Sequence, residues 1–128
     1  MGQTLGSYCI YVTDMDRAVY FWETLMGIKV QLHTDLGHIK EVVLASDEGG
    51  SRIQLAHHLE HEGPLDHGFA LWKLYVNTDD CEGVYNRALE AGCESVSAPQ
   101  RLERWPVVVA FIKDFDGYVI ELVQRDPE

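Results

Sequence analysis

An internal duplication constrains the fold of this chain more than any other feature of its sequence. Tyr11-Val12 recurs as Tyr75-Val76 after 64 residues, and Ile53-Gln54-Leu55 matches Ile120-Glu121-Leu122 after 67. Small differences in loop length account for the change in spacing. Because the matches occur in the same order at equivalent points, they indicate a repeated structural unit and not chance identity.

Both halves follow the same order of elements, which is a strand, a helix and three strands. Asp14 is a typical N-cap for the first helix, and Gly27 and Gly92 close the two helices. Strands are predicted near residues 7–12, 29–33, 41–45, 51–56, 71–76, 94–97, 107–112 and 118–123. The patterns predict an α+β fold in which two βαβββ half-repeats form a curled mixed sheet around a cavity. We expect one domain over 1–128, with half-repeats at about 6–58 and 69–125 and a linker over 57–68.

Composition and charge argue against several classes of protein. The longest apolar run, residues 107–112, is far shorter than the roughly 20 residues that a membrane-spanning helix needs. Residues 1–7 lack the features of a secretory signal, which favours a cytoplasmic location. The net charge of −11 argues against nucleic acid and anionic membranes as partners. The three cysteines, Cys9, Cys81 and Cys93, lack paired spacing and are interpreted as reduced packing residues.

Two motifs carry a resemblance to a known family. Tyr20-Phe21-Trp22 lies on a helix that runs into Met26-Gly27. Near the C-terminal end, the chain has the motif Asp114-Phe115-Asp116-Gly117-Tyr118-Val119-Ile120-Glu121-Leu122. With the two βαβββ halves, these motifs resemble the vicinal-oxygen-chelate superfamily, especially glyoxalase I and bleomycin-resistance-like proteins. Phe115 departs from the proline that the family commonly has. The resemblance spans nearly the whole chain and implies a small-molecule site.

The resemblance also implies four positions for the ligands of a divalent metal. They correspond here to Ser7, Gln54, Leu71 and Glu121. Only Glu121 has the residue type that glyoxalase I-like enzymes use, and an aliphatic leucine cannot bind a metal. We therefore expect no cofactor, with a weakly held divalent metal as the alternative.

The same alignment predicts the remaining residues of a substrate site. Tyr11 stands where glutathione-binding members have an arginine, which together with His58 and Trp105 favours a flat or apolar ligand. Lys73 is two residues after Leu71, and Arg52 is two residues before Gln54, so strand alternation puts each on the same face as an aligned position. Each of the two side chains either faces Glu121 or points to solvent. Trp105 is either part of a lid or an anchor in an exposed loop. The predicted substrate-binding residues are Ser7, Tyr11, Arg52, Gln54, His58, Leu71, Lys73 and Trp105.

A further motif, which resembles a zinc-binding pattern, is interpreted as a coincidence. His57-His58-Leu59-Glu60-His61 matches the H-x-x-E-H pattern of a class of zinc peptidases. That pattern needs a stable helix, whereas this stretch begins at a strand end and soon meets Gly63-Pro64. A solvated linker is the simpler interpretation, although His58 could reach the rim of the cavity.

Three functional hypotheses follow. The first is a lyase or isomerase that moves a proton next to a carbonyl group of a small apolar or aromatic compound, with Glu121 as the base. The second is a protein that binds and sequesters a small molecule without chemistry. The third is a metal-dependent lactoylglutathione lyase. We expect a homodimer in each case, as the resemblance implies.

Overall fold

A computed structural model describes residues 2–127 of the protein. The chain divides into two compact units, with the boundary between Leu65 and Asp66. No helix within residues 2–127 is long and apolar enough to span a membrane. The boundaries of the predicted single domain and of its half-repeats stay predictions.

The first unit is a four-stranded mixed sheet with one helical segment. Its strands are β1 (Ser7–Tyr11), β2 (Lys29–Asp35), β3 (Ile39–Ala45) and β4 (Arg52–His58), in the order β1-β4-β3-β2. β1 and β4 run parallel, and the other neighbours are antiparallel. Alternate residues of the central strands, among them Val42, Leu44 and Leu55, are buried and form the core of this unit.

The helical segment of the first unit is only partly α-helical. Helix α1 (Met15–Val19) begins at Asp14, whose Oδ1 accepts a hydrogen bond from the backbone N–H of Arg17 at 3.1 Å. From Tyr20–Leu25 the backbone continues as a π-helix, and Met26 N–H donates to the carbonyl of Phe21. The predicted apolar face, Ala18, Phe21, Trp22 and Leu25, is buried throughout.

The second unit repeats this plan. Its elements are β5 (Leu74–Asn77), α2 (Cys81–Glu90), β6 (Glu94–Arg101), β7 (Val107–Lys113) and β8 (Val119–Arg125), and its sheet order is β5-β8-β7-β6. Helix α2 packs against β6, β7 and β8. Two four-stranded mixed sheets with few helices confirm the predicted α+β fold of two βαβββ halves.

Three sequence-based expectations need correction. β4 continues through His58, so the segment expected to be linker from residue 57 begins as strand. Cys81 and Cys93 are buried as expected, but Cys9 is exposed because it lies on the face of β1 opposite the buried Ile10. The strand expected over 71–76 begins only at Leu74.

The ladder between β5 and β8 begins after the turn that leads into β8. The backbone N–H of Tyr118 donates to Oδ1 of Asp114 at 2.9 Å, and the carbonyl of Tyr118 accepts from the N–H of Asp114. Tyr118 is therefore committed to the turn, and the first residue of β8 that pairs with β5 is Ile120, opposite Leu74. Residues 71–73 consequently precede the ladder.

The two units also differ in the register of their parallel strands. Tyr75 lies beside Glu121, whereas Tyr11, its match in the sequence repeat, lies beside Ala56. Ala56 is two residues beyond Gln54, which matches Glu121. Because this shift is two residues, matching side chains stay on the same face of each sheet. They lie opposite different residues of the neighbouring strand.

Asp114 is a buried carboxyl group that organises the turn between β7 and β8. Its Oδ1 also accepts from the N–H of Asp116 at 3.0 Å, and Gly117 completes the turn with a φ of 89°. Burial raises the pKa of Asp114 to about 6, although the hydrogen bonds from Tyr118 and Asp116 act in the opposite direction. The folded state therefore binds a proton here more tightly than the unfolded chain does.

This shift predicts a pH-dependent effect of the substitution Asp114→Asn. Because the folded pKa is raised, the contribution of Asp114 to stability is complete below about pH 4 and is lost as the pH rises through 6. Asparagine can accept the same backbone hydrogen bonds but does not ionise. We expect the free energy of unfolding of Asp114→Asn, relative to wild type, to rise by about 2 kcal/mol between pH 4 and 7.

Urea unfolding at a series of pH values measures this difference. Asp126→Asn is the matched control, because hydrogen bonding to Arg101 lowers the pKa of Asp126. Its relative stability should change mainly below pH 4 and stay nearly constant between pH 4 and 7. A difference for Asp114→Asn that is flat with pH would contradict the prediction.

Candidate functional site

One face of the second sheet combines apolar, aromatic and charged side chains. Glu121 lies in the middle of β8, with Tyr75 of β5 on one side and Phe111 of β7 on the other. Along the same face, Val109 and Val123 belong to a buried apolar cluster against which Phe111 packs. The opposite face is covered by α2 and holds the fully buried Ile120 and Leu122. Glu121 is thus a carboxylate in largely apolar surroundings.

Lys73 neutralises this carboxylate. Its Nζ donates a hydrogen bond to Oε1 of Glu121 at 2.5 Å, and the two side chains are only 12% and 10% exposed. Of the two orientations left open by the sequence, the structure confirms that Lys73 faces Glu121. A buried carboxylate needs such a partner, because removing a lone charge from water is costly.

Three aromatic rings surround the same ammonium group. Nζ of Lys73 lies 3.9 Å from the ring centroid of Trp72, 4.9 Å from that of Tyr75 and 5.3 Å from that of Phe111. All three distances are within the range of cation–π attraction. Burial lowers the pKa of Lys73, but hydrogen bonding to Glu121 and Tyr75 outweighs it, so the pKa is raised above its usual value. Lys73 is therefore charged throughout the neutral range.

Sequence reasoning did not identify Trp72, Tyr75 and Phe111 as site residues. Tyr75 could have been identified from the sequence, because it is two residues beyond Lys73 in the predicted strand and alternation puts both on one face. The position of Phe111 beside Glu121 depends on the register between β7 and β8, which no local sequence pattern specifies. Trp72 reaches the ammonium because residues 71–73 precede the strand and do not alternate as expected.

Several predicted site residues lie in the first unit, on one face of its sheet. Ser7 pairs with Arg52, and Tyr11 pairs with Ala56, next to Gln54 along β4. Ser7, Tyr11 and Arg52 are exposed, whereas Gln54 is half-buried. Their assignment to a substrate site stays a prediction.

The remaining predicted residues lie near strand ends and loops. His58 ends β4, and its ring lies 6.0 Å from that of His38 in an edge-to-face arrangement. Leu71 is part of the exposed segment before β5. Trp105 precedes β7 and is 54% exposed, with the guanidinium of Arg104 5.0 Å from its ring centroid. The suggested lid role of Trp105 stays a prediction.

Comparison with known proteins gives the family of the chain. Residues 4–122 match the model of the Glyoxalase/Bleomycin resistance protein/Dioxygenase superfamily. The chain belongs to this superfamily. A probable lactoylglutathione lyase of Vibrio parahaemolyticus is 29% identical over 119 residues, which cover 89% of this chain and 85% of that protein. The family assignment agrees with the resemblance carried by the two sequence motifs.

Two plant proteins are similar over a smaller part of their length. A lactoylglutathione lyase of Arabidopsis thaliana is 25% identical over 119 residues, which cover 91% of this chain and 42% of the plant protein. The crystal structure of glyoxalase I from Zea mays is similar with a TM-score of 0.83 and 21% identity, covering 94% of this chain and 44% of that chain. The chain thus spans less than half the length of these plant relatives, and the structural likeness shows a shared fold.

The residues of this chain do not fit the metal site that the superfamily resemblance implies. Leu71 has no donor atom, and Oε1 of Glu121 already accepts a hydrogen bond from Lys73. Among residues 2–127, no three side chains of histidine, cysteine, aspartate or glutamate come together as a metal-binding group. A divalent metal needs several oxygen, nitrogen or sulfur ligands at once. The charge on Glu121 is balanced by an ammonium group instead.

The burial of the Lys73–Glu121 pair predicts strong coupling between its members. Lys73→Met or Glu121→Met leaves one buried charge without its partner, which should lower the free energy of unfolding by about 3 kcal/mol. The double variant removes both charges and should be considerably more stable than the sum of the single effects predicts. Urea unfolding of the four proteins measures the coupling energy.

The exposed pair of Lys29 and Asp47 provides the control. Its atoms are 2.6 Å apart, but the side chains are 63% and 68% exposed. The same cycle there should give a much smaller coupling energy, because solvent screens exposed charges. Equal coupling in the two pairs would show that the enclosure of Lys73 and Glu121 adds nothing.

Proposed function

We propose that the protein is a glyoxalase-like enzyme of the lyase or isomerase type, which moves a proton next to a carbonyl group. The observation that carries this proposal is the position of Glu121, a buried carboxylate beside an ammonium group on an aromatic sheet face. The names of the relatives, lactoylglutathione lyases at 25% and 29% identity, support the same reaction type. The proposed substrate is a small apolar or aromatic carbonyl compound.

Glu121 and Lys73 supply the two functions that this chemistry needs. A carboxylate accepts the proton from the carbon next to the carbonyl group, which leaves negative charge on the carbonyl oxygen. The ammonium of Lys73 can donate a further hydrogen bond to that oxygen, since Glu121 and Tyr75 use only two of its three donors. The apolar surroundings strengthen both interactions because little water competes with them.

The exchange of carbon-bound hydrogen with solvent tests this function directly. We expect the wild type to catalyse deuterium incorporation next to the carbonyl group of 2-hydroxyacetophenone, or of hemithioacetals formed from phenylglyoxal or methylglyoxal and glutathione. Proton NMR in D2O follows the loss of the carbon-bound hydrogen. Glu121→Gln should reduce the rate by about 10²- to 10⁴-fold, because the amide is no base.

Glu94→Gln is the matched control for this substitution. Glu94 is exposed and forms a surface ion pair with Lys113, so its replacement should leave the exchange rate unchanged. A Glu121→Gln variant that is folded and exchanges as fast as wild type would overturn the role of Glu121 as the base.

A non-catalytic binding protein is the second candidate. It is favoured by the rings of Trp72 and Tyr75, which are 75% and 60% exposed beside a charged group and are open to stacking with a flat ligand. In that case an aromatic ligand would raise the melting temperature of wild type and Glu121→Gln alike, and neither protein would catalyse exchange.

A metal-dependent lactoylglutathione lyase is the third candidate. It predicts tight binding of a divalent metal, whereas the proposed function predicts none. We expect nickel or zinc, at one equivalent, to leave the melting temperature of the wild type unchanged, because Leu71 and the Lys73-bound Glu121 offer no ligand set. Elemental analysis should give a metal content well below one ion per chain. Stoichiometric metal together with activity on methylglyoxal and glutathione would establish the third candidate.

The homodimer, the cytoplasmic location and the single-domain organisation remain proposals based on the sequence and on the superfamily. A small-molecule ligand is the partner that all three functional candidates share.

A further inference from the structure

The surroundings of the Lys73 ammonium are those of a site for an organic cation. One carboxylate oxygen lies at hydrogen-bond distance, and three aromatic rings lie with their centroids within 5.3 Å of the nitrogen. Rings attract cations through the negative charge of their faces, and several rings around one nitrogen are the usual means of binding ammonium groups.

The sheet positions most of this site independently of the lysine side chain. Tyr75 and Phe111 are the neighbours of Glu121 on the two adjacent strands, so the backbone register fixes the two rings beside the carboxylate. Phe111 also packs against the buried cluster of Val107, Val109 and Val123. Removing the end of the Lys73 side chain would leave these groups in place around an unbalanced negative charge.

We propose that Glu121 and the rings of Trp72, Tyr75 and Phe111 form a binding site for an organic ammonium group, and that Lys73 is its intramolecular ligand. A single carboxylate with aromatic walls suits an alkylammonium ion, which keeps its charge without several oxygen ligands. A divalent metal would lose its water without adequate replacement. Ammonium binding here does not depend on whether Glu121 acts as a base.

Because Lys73 is covalently attached, it should exclude free ammonium ions from the site in the wild type. An attached group acts at a high effective concentration, which a free ion at low concentration cannot match. The exposed rings of Trp72 and Tyr75 leave a side of the site accessible from solvent. Shortening Lys73 should therefore open the site to an external ligand of the same chemistry.

Lys73→Ala with n-propylammonium chloride tests the proposal. This substitution removes three carbons and the nitrogen, which n-propylammonium replaces atom for atom. We expect saturable binding with a dissociation constant of roughly millimolar size, seen by isothermal titration calorimetry and as a rise in melting temperature. Wild type should show no such rise, because Lys73 occupies the site.

Three controls separate this site from general salt and solvent effects. Sodium chloride at the same ionic strength and neutral n-propanol should not stabilise Lys73→Ala. The double variant Lys73→Ala with Glu121→Gln should bind n-propylammonium at least tenfold more weakly. A folded Lys73→Ala variant that responds equally to n-propylammonium and sodium chloride would overturn the proposal, as would unchanged binding in the double variant.

A measurement on the wild type keeps the proposal testable if Lys73→Ala does not fold. The proton resonances at Cε and Nζ of Lys73 should be shifted upfield by the ring currents of Trp72 and its neighbours. Trp72→Leu should move them back towards ordinary lysine values. Lysine resonances at ordinary positions in the wild type would refute the enclosure of the ammonium.

Discussion

The buried carboxyl group of Asp114 fixes the part of the structure on which the site depends. By accepting the backbone amides of Asp116 and Tyr118, it closes the turn between β7 and β8 directly before β8 begins. The register of β8 then brings Glu121 between Tyr75 and Phe111. The D-x-D-G-Y part of the motif, residues 114–118, thus forms the turn. Glu121, later in the same motif, lies on the strand that follows this turn.

The site differs from a metal centre in the kind of cation that balances its carboxylate. In the superfamily resemblance, Glu121 corresponds to a metal ligand, whereas here its oxygen is bound by the Lys73 ammonium. An ammonium is a weaker electrophile than a divalent metal, but it is built into the chain and needs no loading. Three aromatic rings lie around it within the range of cation–π attraction.

Much of the fold was predictable because it depends on local patterns. The helix cap at Asp14 and the alternating strands depend on short stretches of sequence. The Lys73–Glu121 contact was one of two open alternatives, because the orientation of a charged residue at a strand end depends on its neighbours. The roles of Phe111 and Trp72 required strand register and the late start of β5, which are set by contacts distant in sequence.

The start of β5 at Leu74 bears on what a metal site at this place would require. Leu71 lacks a donor atom and also lies outside the ladder that aligns β5 with β8. A histidine at this position would supply a nitrogen that can bind a metal, but the carboxylate of Glu121 would still be bound by Lys73. A metal site here would thus require changes in at least two residues, Leu71 and Lys73, because either change alone leaves the site without a ligand or leaves the carboxylate occupied.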